Sequence, residues 1–243
     1  MPPQTAPSLP PGLYRSGSGF SAGELQVMVH EGAVRPLLGD LYACSALPDA
    51  PSLRAQACRA LLSGSLHAHA VLCGQSAAWV HLGVGSAPER ITVITAGVYR
   101  RRTAGAIPWQ VHQVPLGAHE QLQLQGVPVT TALRTATDLF LGIGTVQSRR
   151  ALDAPSIARS TEPTPHPGPV QRAGSAQLPG APESAGCAER WALIRELRRA
   201  APEQIQLITL LRAIDTRRGG RDTGRRRGQE QLEALLQARI FDR

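Results

Sequence analysis

The sequence contains no lysine, so all 26 of its Lys and Arg residues are arginines. This absence excludes Schiff-base catalysis and the lysine of a P-loop, which reaches the phosphates of a bound nucleotide. A protein-kinase ion pair built on lysine is excluded as well. Aromatic residues make up only 4% of the chain, three each of Phe, Trp and Tyr. This scarcity argues against modules that bind single strands by stacking several bases on aromatic side chains.

Cysteine is also scarce, and long apolar runs are missing. The four cysteines stand at positions 44, 58, 73 and 187 and form no C-x-x-C pair, so we expect no zinc ribbon, no other metal site and no cofactor. Free, reduced thiols are typical of the cytoplasm. The opening MPPQTAPSLPPG lacks the basic start and apolar stretch of a signal peptide, and no run is long enough to span a bilayer. We therefore expect a cytoplasmic protein without a membrane partner.

Composition divides the 243 residues into four stretches. Five prolines in 1–11 predict a disordered leader, and seven prolines in 155–187 predict a disordered, Pro-rich linker. Residues 12–154 have the apolar content of a compact fold. Residues 188–243 hold 13 arginines against 8 acidic residues, which predicts an Arg-rich helical tail. The tail carries most of the formal net charge of +8.

Local signals within 12–154 predict an α+β fold. Ser21 and Glu24 have capping-box spacing, and Gly32 ends the helix that they begin. A turn at Gly39-Asp40 joins two short strands, and Pro36 places the first of them at a sheet edge. Further strands are predicted at 91–95, 109–114, 121–124 and 127–129, and further helices at 52–63, 75–82 and 131–141. We interpret 12–50 as a winged helix-turn-helix module and 51–154 as a small α/β domain.

A capped helix followed by a hairpin is the second half of a winged helix-turn-helix. In such a module the helix enters the major groove and the wing contacts the adjacent backbone. Gln26 and His30 face away from the apolar side of the helix and are the candidate groove contacts, with Arg15 and Arg35 on phosphate. The alternative is a small α/β element that binds nothing.

Several segments resemble the AbiEi-like antitoxin family of actinobacteria. They are Leu13-Tyr14, Glu24-Leu25, Val29–Gly32, Gly39–Ala43, Gln75–His81 and, as the most specific segment, Gly126–Leu139 with the pattern G-x-P-V-T-x-x-x-R-T-x-x-D-L. The resemblance spans about residues 12–154 and implies a transcriptional autorepressor that binds double-stranded DNA at its own promoter. It also implies antitoxin activity in 51–154, within a type IV toxin–antitoxin system of abortive infection. The functional partner would be a nucleotidyltransferase-type toxin, without necessary direct contact.

The sequence departs from that family pattern in two places. The segment from Tyr14 to Gly19 is a poor helix former, although the family has a helix before Ser21. The wing between Val34 and Asp40 carries one arginine and one acid, and DNA affinity rests largely on neutralised phosphates. The alternative function is therefore an interaction protein that kept the fold and lost operator recognition.

Other candidate residues have two interpretations each. Arg101, in an arginine triplet between predicted strands, is a second phosphate contact or a solvated loop tip. Arg134 and Asp138 have i,i+4 spacing, and we favour a structural pair over a surface ion pair. Ser76, in a near match to G-x-S-x-G, and the His67/His69 pair are the starting points for an enzyme. We assign all three to structure and predict no catalytic residue.

The predicted tail combines apolar stripes with a basic arm. The stripes are Trp191/Ile194/Leu197, Ile205/Ile208/Leu211 and Leu232/Leu235/Leu236. The glycine-rich, arginine-rich run 216–228 is predicted to be non-helical. It is either a flexible arm that touches nucleic acid without sequence preference or a solvated connector.

Overall fold

A computed structural model describes residues 9–62, 66, 69–96, 107–144 and 185–218. Within these ranges the chain forms six α-helices, a short 3-10 helix (Ala118–Glu120) and two β-sheets, so the α+β class is confirmed. Arg101 and His67 lie outside the described residues, as do 155–184 of the predicted linker and most of the predicted leader. No helix in the described part of the chain is long and apolar enough to cross a membrane.

The N-terminal part of the chain forms a three-stranded sheet with one helix, and these include the predicted helix and hairpin. Its elements are β1 (Leu13–Arg15), α1 (Ala22–His30), β2 (Val34–Leu38) and β3 (Leu41–Cys44). The strand order is β1-β3-β2 with antiparallel pairs, so Pro36 does lie on an edge strand. The capping box is present: the Ser21 backbone N–H donates to Glu24 Oε2 over 2.7 Å, and the Glu24 N–H donates to Ser21 Oγ over 3.2 Å. These reciprocal bonds satisfy two N–H groups that the first helical turn leaves free.

Strand β1 was not predicted. It has three residues, too few for an alternating pattern to emerge, and its formation depends on pairing with β3, where Tyr14 lies opposite Tyr42. The Gly/Ser-rich segment after it forms a turn that ends in a bridge from Ser16 to Phe20. The rings of Tyr14 and Phe20 pack in a T-shaped arrangement, with centroids 5.6 Å apart. The segment that was judged a poor helix former is thus a strand and a turn.

The second sheet contains five strands. Its strands are β4 (Ala70–Leu72), β5 (Ile91–Thr95), β6 (Trp109–His112), β7 (Gln121–Leu124) and β8 (Val127–Thr130). The helices of the same region are α2 (Pro51–Ala60), α3 (Gly74–Leu82) and α4 (Ala132–Phe140). The order is β6-β5-β4-β8-β7, with parallel pairs β4/β8 and β5/β6 and antiparallel pairs β4/β5 and β7/β8. The central strand β4, which the sequence did not predict, thus joins the two halves of the sheet.

One hydrophobic core crosses residue 50, where the sequence suggested a module boundary. Leu38 and Leu41 of the first sheet belong to the same buried cluster as Leu53 of α2 and Leu72 and Val129 of the second sheet. Burial of this continuous apolar surface is the main favourable term that holds the two sheets together.

A second core joins two C-terminal helices to α3 and α4. The helices are α5 (Ala185–Ala200) and α6 (Leu207–Arg218), and α5 begins inside the predicted linker. Ile194 and Leu197 of α5 are buried against Ala136 and Leu139 of α4. The described part of the tail therefore docks on the compact region.

Two predictions for the tail were wrong. The second predicted stripe was wrong at Ile208, which is 57% exposed. Ile205 is buried and Leu211 packs against the same core, in which Leu210 and Ile214 are the buried residues of α6. The stripe was misplaced because Pro202 and its neighbours interrupt the helix, so the periodicity of α6 restarts at Leu207. In addition, α6 continues to Arg218, so the first residues of the predicted non-helical arm are helical.

Candidate functional site

Helix α1 presents its outer face to solvent. Leu25 is its only buried residue, and Gln26, Val27 and His30 are all exposed. The Gln26 Nε2 donates to the Tyr42 hydroxyl over 3.0 Å, which ties the helix to β3 without covering it. The two predicted groove contacts therefore lie on an open surface, next to the β2–β3 hairpin.

Arg15 and Arg35, the predicted phosphate contacts, are less available to a ligand than Gln26 and His30. Arg15 Nε donates to Asp40 Oδ2 over 2.6 Å, with side chains 32% and 34% exposed, so the acid at the hairpin turn neutralises this arginine. Arg35 is half-buried, and its Nη2 is buried without a hydrogen-bond partner among the described residues. Both arginines flank β3, opposite Leu41 and Ala43 respectively. Strand register places both arginines on the Leu41/Ala43 face of the sheet, whereas Gln26 bonds Tyr42 on the opposite face. The sheet therefore separates Gln26 from the two predicted phosphate contacts.

The predicted pair Arg134 and Asp138 lies in the protein interior. Arg134 Nε donates to Asp138 Oδ1 over 2.7 Å, and the two side chains are 1% and 0% exposed. The alternative of a helix-surface ion pair is therefore wrong. The contribution of a buried ion pair to stability differs from that of a surface pair, because each buried charge has lost its hydration and depends on its partner.

Two further charges complete what we call the Arg134 cluster, defined by Arg134, Asp138, Glu120 and Arg217. Arg134 Nη1 donates to Glu120 Oε2 over 2.8 Å and to the Pro115 carbonyl over 3.0 Å. The other oxygen of Glu120 pairs with Arg217 Nη2 from α6. The cluster thus links α4, the turn before β7 and the C-terminal helix.

Burial perturbs the ionisation of this region. Desolvation raises the pKa of Asp138 from 3.8 to about 6, although the charge of Arg134 and its hydrogen bond act to lower it. Burial also raises the pKa of the Cys73 thiol, with a smaller contribution from the negative charge of Asp138. Ionised Asp138 therefore carries a desolvation cost that, within the described part of the chain, only its contact with Arg134 offsets.

The threonines of the same segment form a second buried network. Thr130 Oγ1 and Thr135 Oγ1 are 2.7 Å apart, and His81 Nε2 lies 2.8 Å from the Thr130 carbonyl oxygen. That carbonyl can only accept, so Nε2 carries the proton. Desolvation lowers the pKa of His81, which favours the neutral ring. The contact between His81 and the threonines could not be predicted from local patterns, because these residues come from different elements.

A cavity of about 720 Å³ lies beside the Arg134 cluster. Its walls come from the segment between β6 and β7, from α4 with the turn that follows it, and from α6. Apolar side chains line most of it, and Glu120, Arg134 and Arg217 line its charged part. The sequence missed this site because its walls are far apart along the chain.

Ser76, from the near match to a nucleophile elbow, has a structural role. Ser76 is fully buried; its Oγ accepts from the Thr92 N–H over 2.9 Å and lies 3.3 Å from the Arg90 carbonyl. A strand, a turn and a helix do surround it, as in a nucleophile elbow, but the hydroxyl is occupied and enclosed. Across the described ranges, no group of three His, Cys, Asp or Glu side chains could hold a metal ion, and this includes His69.

No protein-family model matches the chain, and neither a curated protein nor a solved structure shows significant similarity to it.

Proposed function

We propose that this protein is a DNA-binding transcriptional autorepressor and the antitoxin of a type IV, abortive-infection-like toxin–antitoxin system. The observation that carries the DNA-binding part is the open outer face of α1, with Gln26 and His30 exposed beside the β2–β3 hairpin. In this proposal 12–50 is a winged helix-turn-helix, α1 enters the major groove and the hairpin is the wing. The antitoxin part rests on the sequence resemblance, with a nucleotidyltransferase-type toxin as functional partner in the cytoplasm.

The residues on the exposed face of α1 favour recognition of specific DNA bases over strong binding to any DNA sequence. A glutamine amide can pair bidentately with adenine, and a histidine can donate to a base edge or a phosphate. The phosphate contribution is small, because Asp40 neutralises Arg15 and Arg35 is half-buried. We therefore expect weak binding with a shallow dependence on salt.

The test is a gel shift on the promoter region of the gene itself, with a salt titration. Gln26→Ala should lower the affinity by about 1 kcal/mol or more, the size of one base contact. Gln123→Ala is the matched control, because this exposed glutamine lies on β7 in the other sheet. Asp40→Asn should release Arg15, strengthen binding and steepen the salt slope by about 1.

Equal affinity for promoter and unrelated DNA, unchanged by Gln26→Ala and Asp40→Asn, would refute the repressor. A second candidate function is then an interaction protein that kept the fold and lost operator recognition. It is favoured by Val27, which is 56% exposed at the middle of the α1 face, and by the neutralised Arg15. Rescue of a co-expressed toxin without promoter binding would select this candidate.

A further inference from the structure

The cavity beside the Arg134 cluster has the size and lining of a small-molecule site. Its volume of about 720 Å³ lies within the range of about 300–1,000 Å³ that is typical of ligand pockets. Leu116, Leu133, Leu141 and Ile143 line it with apolar surface. Such sites combine an apolar wall with a few polar groups that fix the orientation of the ligand.

Two arginines that line the cavity each have a buried N–H donor without a partner among the described residues. Arg134, which is 1% exposed, has a buried Nη2 with no partner in the described part of the chain, and the same is true of Arg217 Nε. Both residues line the cavity. Buried N–H groups of arginine normally have a hydrogen-bond partner. A buried N–H group without a partner costs more free energy than an average hydrogen bond contributes.

The charges and donors of the cluster indicate which chemical group of a ligand would bind there. Arg134 and Arg217 contribute two positive charges to the lining, and Glu120, which bridges them, contributes one negative charge. With Asp138, which pairs with Arg134, the four charges of the cluster sum to zero, so the preference for a carboxylate rests on the arginine N–H donors that are left without a partner. The fork of arginine donors matches a carboxylate. Asp138 itself does not line the cavity.

We propose that this cavity binds a small amphiphilic carboxylate, with the carboxylate on the donors that Glu120 leaves without a partner, Arg134 Nη2 and Arg217 Nε, and the hydrocarbon along Leu133 and Ile143. Because Ala213, Thr216 and Arg217 of α6 form one wall, such a ligand joins the C-terminal helix to α4. The proposal does not depend on DNA binding: it concerns a different surface.

The test is calorimetric titration of the full chain with octanoate near pH 7.5, beside octan-1-ol and octylamine as probes of equal chain length. Octanoate should bind, and the alcohol and the amine should bind at least tenfold more weakly. Arg217→Gln should weaken octanoate at least tenfold. Arg212→Gln is the matched control on the same helix, since Arg212 is exposed and does not line the cavity, and should change affinity less than twofold.

Ala213→Phe provides a second variant that keeps every ion pair of the cluster. Its ring should occupy the cavity and abolish octanoate binding, while thermal unfolding reports whether the variant folds. No heat from octanoate, equal binding of octylamine, or equal effects of Arg217→Gln and Arg212→Gln would overturn the proposal. Normal octanoate binding by folded Ala213→Phe would overturn it as well.

Discussion

Replacing Arg134 by methionine should be among the most damaging single changes in this chain. The substitution keeps much of the side-chain volume and removes the only hydrogen-bond donor to the Asp138 carboxylate among the described residues. Because Asp138 is 0% exposed, it would become a buried carboxylate without a partner. Loss of one partner from a buried pair costs about 3–5 kcal/mol, and we expect a loss of that size in the free energy of unfolding.

The cost should depend on pH in a defined direction. Folding raises the pKa of Asp138 from 3.8 to about 6, so the folded state binds this proton more tightly and stability falls as the pH rises from about 4 to about 6. Without Arg134 the pKa rises further, and the decline continues above pH 6. Each additional pH unit costs about 1.4 kcal/mol. Arg134→Met should therefore be more damaging at pH 7 than at pH 5.5, by roughly 1 kcal/mol.

Urea unfolding at the two pH values measures this effect. Arg199→Met is the matched control, because Arg199 forms an exposed i,i+3 pair with Glu196 and should cost less than about 1 kcal/mol at either pH. The reasoning fails if Arg134→Met costs no more than Arg199→Met, or if its cost is the same at both pH values.

Two further stability predictions concern the backbone around β4 and the start of α4. Gly74→Ala should destabilise the fold by about 3 kcal/mol in thermal or urea unfolding, because a Cβ there would lie 2.6 Å from the Gly144 carbonyl oxygen at a φ of +52°. Gly85→Ala, with a φ of +80° and open space around it, should cost only about 1–2 kcal/mol, and equal losses would contradict the clash. Thr131→Ala removes the side-chain cap on the Arg134 N–H and should cost about 1 kcal/mol. Thr131→Ser, which keeps the hydroxyl, should restore most of that loss.

Elements with strong local signals could be predicted from the sequence. The capping box at Ser21, the turn at Gly39 and the turn at Gly126 each fix an element within a few residues of its signal, and all three elements are confirmed. Strands β1 and β4 were missed because each has three residues and forms through pairing with distant strands. Local periodicity carries no record of such pairing.

The Arg134 cluster shows the same division between local and distant information. The spacing of Arg134 and Asp138 predicted their contact, since residues four apart share a helix face. Nothing in the spacing could place that face in the interior or bring in Glu120 and Arg217, which come from other elements. The cavity beside them depends on the docking of α6, so it is a property of the assembled fold alone.

The order in which the ribosome makes the chain gives the second core a particular history. The apolar surface around Leu139 on α4 is complete early in synthesis, but its cover, which includes Ile194 and Leu197, is made only after the long proline-rich stretch. Until those residues emerge, the nascent protein carries a bare apolar surface of the kind that other unfinished chains and chaperones bind. The final helices thus complete the core and also cover an apolar surface that would otherwise favour aggregation.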